Sequence, residues 1–295
     1  MSARRLVALG LLLLLVGGCE SGGAGHQMLN TIGSMTGVPG LGAAGQTLSA
    51  VPGAFTDIEE SEEIELGRAV TAAIGARYKV LRDINLTKYV GLVGNTVAAV
   101  SDRPDMRYYF AVLDSDDINA LAAPGGYVLV TRGALRLMND EATLAGVLGH
   151  EVGHIALRHH GKTIKAQKQK ALAVGAGQTA LAFTSASAFA GLIGGIADAL
   201  AEEIVLKGHS RAEESESDKV GFEYAARAGY DPAGLREFLN ALAARGARDA
   251  GVAKFNSTHP GTDDRLKEQT KLLDAKKGTG TGKREAARFA RAMGR

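Results

Sequence analysis

His150-Glu151-Val152-Gly153-His154 lies inside an apolar run from Leu144 to Leu157, and the chemistry of the chain is read outward from it. Its two histidines are four residues apart, so on an α-helix both imidazoles share a face and can close on one metal ion. Glu151 sits one residue along, where its carboxylate can face a water bound to that metal. An H-E-x-x-H stretch of this kind reads as a zinc site with a built-in general base. Asn139 stands where a cap for the helix belongs, and the helix is expected to run to about His160.

Two histidines leave zinc short of a protein ligand. Catalytic sites commonly use His, His and Glu, with water in the fourth place. The only cysteine is Cys19, so thiolates cannot complete the set. The best source of a carboxylate is Ser210-Arg211-Ala212-Glu213-Glu214-Ser215-Glu216-Ser217-Asp218, the start of a helix expected to reach about Ala228. Glu214 and Asp218 are four apart and share a helical face. His159, His160 and His209 lack the spacing to join the pair; His159 is expected to pack against helix neighbours and the other two to be solvated.

The 295 residues allow one large domain or two small ones, and an apolar content of 45% is that of an ordinary globular protein. A formal net charge of +2 gives no reason to invoke nucleic acid. Residues 1–18 follow a secretory plan: Arg4 and Arg5, apolar Leu6 to Val16, then Gly17 and Gly18. The apolar stretch is too short for a permanent membrane helix. Val16-Gly17-Gly18-Cys19 resembles a bacterial lipoprotein processing site, with Val16 where Leu is more usual. That resemblance makes Cys19 the lipidated N-terminus of a membrane-anchored periplasmic protein, on the inner or the outer membrane. A plain signal peptide with an incidental cysteine is the alternative. From residue 19 to 55 the chain is rich in Gly, Ala and Ser without periodicity, which reads as a flexible tether; His26 within it is read as a bystander.

Order is expected from Thr56. Thr56-Asp57-Ile58-Glu59 forms a capping box for a helix carrying Ile64, Val70, Ile74 and Tyr78. Asn85 to Val100 reads as a second helix. Tyr108 to Leu113 and Tyr127 to Thr131 are β-forming and flank Pro124-Gly125-Gly126, which predicts a two- or three-stranded sheet beside the metal helix. Its edge can hold an extended peptide substrate or be scaffold alone. Lys162 to Lys170 reads as a basic exposed turn. Ala171 to Ala197 has no charged residue, but Gln178, Thr179, Ser185 and several glycines favour a helical hairpin, over the site or on a membrane surface, above a true span. Asp231-Pro232 starts a helix over Gly234 to Ala244, and a last helix covers Asp263 to Leu273. Residues 275–295 read as a basic flexible tail. One catalytic domain, about 56 to 274, is therefore expected, and no solenoid repeat is visible.

The same residues resemble the zinc peptidases of the HtpX and CAAX prenyl endopeptidase type, of the gluzincin kind. That family pairs H-E-x-x-H with a later S-R-x-x-E-x-x-A-D helix. Ser210, Arg211, Glu214 and Asp218 match, with Ser217 in place of Ala. Glu65-Leu66-Gly67, Asn119-Ala120-Leu121, Arg158-His159, Gly229-Tyr230-Asp231-Pro232, and Thr258-His259-Pro260 with Arg265 are also similar, in the family's order. The resemblance implies a mainly helical α+β, zincin-like peptidase domain with a small sheet beside the metal helix. It implies one zinc ion per chain on His150, His154 and Glu214, with Glu151 as the base that takes a proton from water and passes it to the leaving amine. Asp218 is then expected to orient a ligand imidazole, the competing role being an ion pair with Arg211. His259 is expected to stabilise an oxyanion, to approach the zinc, or to be a structural turn residue. The lipoprotein members are most similar, which implies cleavage of unfolded or misassembled envelope proteins. The bacterial export signal speaks against a prenylated substrate. The competing function is an envelope assembly or chaperone-like factor whose metal site is largely latent.

Overall fold

The structure is a computed structural model, and it describes residues 58–175, 186–276 and 282–295. The secretory segment, Cys19, the tether and the first two residues of the expected capping box lie outside these. The chain divides into two compact units, and residues 57–168 with 191–295 form the one that carries the sheet and the histidine cluster described below.

Two helices come first, α1 (Glu60–Arg77) and α2 (Ile84–Ala98), followed by three short strands, β1 (Tyr109–Leu113), β2 (Ala120–Ala123) and β3 (Tyr127–Thr131). Helices follow to the end: α3 (Arg132–Arg136), α4 (Glu141–Ala156), α5 (Gly161–Gly175), α6 (Ala186–Glu202), α7 (Arg211–Arg227), α8 (Gly234–Arg245), α9 (Ala250–Thr258), α10 (Thr262–Ala275) and α11 (Ala286–Ala292). The fold class is the expected one, mainly helical α+β with a small sheet.

The sheet runs in the order β1-β3-β2, with β1 parallel and β2 antiparallel to β3. Both its faces are covered, and the two-residue period of a strand sorts the side chains between them. Ala120, Ala122, Val128 and Val130 pack with α2, α4 and α8, while Leu121, Ala123 and Leu129 pack with α1 and the end of α6. Helix α4 is buried along nearly its whole length, from Glu141 to Ile155, so it is the axis of the domain rather than a surface helix.

Local sequence chemistry sets the helix starts. Asp83 accepts hydrogen bonds from the amides of Asn85 and Leu86 at 3.0 Å each. Ser210 and Glu213 make a reciprocal capping box at the head of α7. Two caps differ from expectation. Helix α1 begins after Glu59, whose side chain makes no capping bond, and the acids of its first turn interact with the helix dipole instead. Helix α4 is capped by Asp140, which accepts from the Thr143 amide at 2.8 Å, and not by Asn139.

Three further expectations are corrected. Helix α4 stops at Ala156, because Arg158 takes a left-handed backbone (φ 55°) that ends the helix before His160. The basic stretch Lys162 to Lys170 is helical, as part of α5, since nothing in it breaks a helix. The tail is not flexible throughout: α11 folds back and buries Phe289. Of the apolar 171–197 stretch, the ends belong to α5 and α6, and residues 176–185 lie outside the described residues. Among the described residues no helix is long and apolar enough to cross a membrane.

Candidate active site

The site is built where α7 crosses α4. A Cβ on Gly149 would lie 2.9 Å from the Gly221 carbonyl oxygen, and a Cβ on Gly221 would lie 2.7 Å from the His150 nitrogen. Only hydrogen at both positions lets the two backbones approach this closely. That contact carries the first half of α7, and Glu214 with it, over the histidine face of α4.

The result is a dense set of buried donors. His150 Nε2 lies 3.1 Å from His154 Nε2. Glu214 reaches both rings, with Oε2 3.5 Å from His150 Nε2 and Oε1 3.3 Å from His154 Nε2. His259, from the end of α9, places Nδ1 3.2 Å from Glu214 Oε1 and donates from Nε2 to the Ala120 carbonyl of β2 at 3.0 Å. One ligand atom from each of His150, His154, Glu214 and His259 falls within 4.8 Å of the others. Ring nitrogens facing each other at 3.1 Å, beside a buried carboxylate, form a donor set suited to a divalent cation of nitrogen and oxygen preference. Glu151 stands alongside, its Oε1 3.8 Å from His259 Nε2, while its buried Oε2 has no hydrogen-bond partner.

A second layer holds this set in place. Asp218 Oδ1 lies 2.8 Å from His150 Nδ1, which leaves Nε2 turned towards Glu214. Arg265, from α10, grips Asp218 through two hydrogen bonds of 2.7 and 2.8 Å, and its Nη1 is 2.6 Å from Glu214 Oε2. The competing ion pair of Asp218 with Arg211 does not form; Arg211 instead meets Asp264 at 3.4 Å. Arg265 was legible beforehand only as part of the family pattern around His259, and no feature of its own neighbourhood pointed to the site.

The electrostatics follow from burial and these neighbours. Burial pushes the Glu151 carboxyl above its ordinary range, with His259 and His150 opposing. Burial pushes Glu214 the same way, but Arg265, His259 and His150 outweigh it and hold the carboxylate well below the usual range. Asp218 is held at about 2, because Arg265 and His150 overcome burial. For His150, burial and Arg265 favour the neutral ring, but Glu214 and Asp218 raise it to about 9.

The three histidines left aside by spacing are not scattered. His160 is buried, at 5% exposure. His209 is half-buried and stacks on His154, ring centroids 3.8 Å apart and planes 18° from parallel. His159 Nδ1 lies 2.8 Å from His154 Nδ1. Linear spacing could not show this, because His209 is brought in by the backbone of residues 203–210 folding against Thr258.

A cation-binding pair of histidines on a central helix, a carboxylate from the next helix and an unpartnered glutamate beside them define a metallopeptidase-type centre. Residues 85–272 match peptidase family M48. The chain belongs to that family. Among similar proteins, the beta-barrel assembly-enhancing protease of Yersinia pestis is 28% identical over 265 residues, 89% of this chain and 52% of its own length. Metalloprotease YcaL of Escherichia coli (strain K12) is 34% identical over 155 residues, covering 52% of this chain and 58% of its own. The mitochondrial metalloendopeptidase OMA1 of Schizosaccharomyces pombe is 29% identical over 182 residues, 62% of this chain and 51% of its own. The chain thus spans about half the length of these relatives.

Proposed function

We propose that the chain is a zinc-dependent endopeptidase of the bacterial cell envelope, held at the membrane on the periplasmic side by a lipid on Cys19. Its substrates are unfolded or misassembled envelope proteins. The observation that carries the reading is the meeting of His150, His154 and Glu214 in one buried cluster, with the free oxygen of Glu151 beside it. These three side chains are the zinc ligands. Zinc, when bound, supplies Lewis acidity, acidifying water and polarising the peptide carbonyl.

The remaining steps belong to the chain. Asp218 accepts the Nδ1 proton of His150 and so keeps that ring's Nε2 lone pair on the ligand side. Arg265 balances the charge of Asp218 and Glu214 in a pocket with little water. Glu151, with a raised proton affinity, takes the proton of the attacking water and returns it to the leaving amine. His259, hydrogen-bonded on both ring nitrogens and made more basic by Glu214 and Glu151 against the effect of burial, places positive charge where the carbonyl oxygen becomes negative.

The client class is supported by the name of the beta-barrel assembly-enhancing relatives, and the location by the export signal and the lone cysteine at its end. Glu151→Gln is expected to retain zinc close to one equivalent while cleavage of casein or an unfolded outer-membrane protein falls by at least a thousandfold. Zinc content by mass spectrometry and cleavage on gels check this together. Cleavage that survives the substitution removes Glu151 as the base. A wild-type protein full of zinc that cleaves nothing returns the reading to an assembly factor.

A further inference from the structure

The candidate metal centre is sealed. His150, Glu151, His154, Glu214 and His259 are each at most 3% exposed, so no polypeptide reaches them in this form. Helices α4, α7, α9 and α10 supply that group and the residues that hold it. Residues 203–210, between α6 and α7, supply none of the ligand set and yet lie over it, with the His209 ring stacked on His154 at 3.8 Å. We propose that residues 203–210 form a strap that closes the metal centre and swings away to admit a polypeptide.

The strap is held by few ties. Glu203–Lys207 is one turn of π-helix, a rare form that recurs at functional sites. Ile204 and Val205 are its apolar anchors, buried with Leu121 and Ala123 of β2, while Leu206 beside them is 48% exposed. Its polar ties are Thr163 Oγ1 to Glu203 Oε1 at 2.6 Å, Lys254 Nζ to the Val205 carbonyl at 3.4 Å, and the His209 amide to the Thr258 carbonyl at 3.1 Å. Gly208 is the pivot. Its backbone (φ 66°, ψ −161°) lies where glycine alone is at ease, and a Cβ there would meet the Thr258 oxygen at 1.9 Å. Two residues on, the Ser210 capping box fixes the head of α7, so the motion ends before the helix that carries Glu214.

The same strap closes off the strand nearest the metal group. The Asn119 carbonyl accepts from Thr131 of β3, so by strand alternation Ala120 and Ala122 turn away from β3. The Ala120 carbonyl is taken by His259 Nε2 at 3.0 Å and its amide by Asn119 Oδ1 at 3.0 Å. With Ile204 and Val205 packed on the strand as well, an extended chain finds neither an open edge nor a path to the histidines.

The strap rests on the reading of this group as a peptidase centre, and its test has an arm that does not depend on peptide cleavage. A closing element with no bond to the cation slows entry and exit alike, and leaves the ratio of the two rates, the Kd, where it was. The full chain is therefore followed by stopped flow as it takes up Zn2+, and as a chromophoric chelator removes it. His209→Ala is expected to speed both rates at least tenfold, with Kd unchanged within threefold, and to raise kcat/KM on an unfolded protein several-fold. Gly208→Ala, which forces the strap off Thr258, is expected to act in the same direction. If Gly208→Ala fails to fold, His209→Ala decides alone. Unchanged exchange rates in folded His209→Ala overturn the strap, as does a weaker Kd with an unchanged association rate, which makes His209 a support for the ligands instead. Faster zinc exchange in the variant, in a protein that cleaves nothing tested, upholds the strap and removes the peptidase reading.

Discussion

Arg265 faces two carboxylates, Glu214 and Asp218, and all three are nearly sealed from water. Removing one partner of a buried ion pair leaves an uncompensated charge and costs about 3–5 kcal/mol. Arg265→Met is therefore expected to destabilise the metal-free protein by about that amount. A divalent cation against Glu214 replaces part of the lost charge, so the penalty is expected to shrink when zinc is present. Urea denaturation with and without zinc measures both values; an equal cost in the two conditions would separate Arg265 from the metal. His160 supplies a pH dependence of its own. Burial, with His159 nearby, lowers it from 6.5 to about 4. Below pH 6.5 the unfolded chain binds a proton here that the folded chain refuses until about pH 4, so stability falls as pH drops through that window and is unaffected above it. A shift of this size corresponds to about 3 kcal/mol. Urea midpoints at pH 7.5 and 5.0 are expected to diverge less in His160→Gln than in the wild type.

Secondary-structure elements were legible where their signal is local. The apolar periodicity of α2 and the β-forming stretches of β1 and β3 each act within a few residues, and each appears where expected. The departures arise where distant chain decides. Helix α11 looked like solvated basic chain, but Arg284 bonds Asp140 and Asp231 at 2.5 and 2.8 Å and also meets Glu237, while Arg288 pairs with buried Glu141. A run of arginines gives no local sign of carboxylates that lie 47 to 147 residues away in sequence. The crossing of α4 and α7 is the contact on which the site depends most directly. In Gly149→Ala the new methyl would meet the Gly221 carbonyl at 2.9 Å, far inside ordinary contact. Separation of the helices is expected to cost about 1–3 kcal/mol and to weaken zinc binding more than tenfold, because Glu214 moves with α7. Zinc affinity by competition with a chromophoric chelator tests this, and wild-type affinity in a stable Gly149→Ala protein would refute it.

For the whole molecule, metal and fold are expected to be linked. The four potential ligands of the first group come from α4, α7 and the end of α9, which meet only in the folded chain. A cation that binds only the folded form adds about 4 kcal/mol of stability at a free concentration a thousand times its Kd. Chelation is expected to lower the melting temperature of the wild type and to leave Glu214→Gln nearly unmoved. Equal shifts in the two proteins would remove Glu214 from the ligand set.

What the sequence determined alone was the chemistry within one turn of helix: two imidazoles and a carboxylate on α4, and two carboxylates four apart on α7, because helical periodicity places such residues without reference to the rest of the chain. Tertiary structure decided which carboxylate meets the histidines, that Arg265 and His259 join them, and that His159 and His209 gather on the far side of His154. Those meetings depend on how closely helices pack and where loops return. Such distances come from side-chain volume and glycine contacts between segments that sequence order leaves far apart.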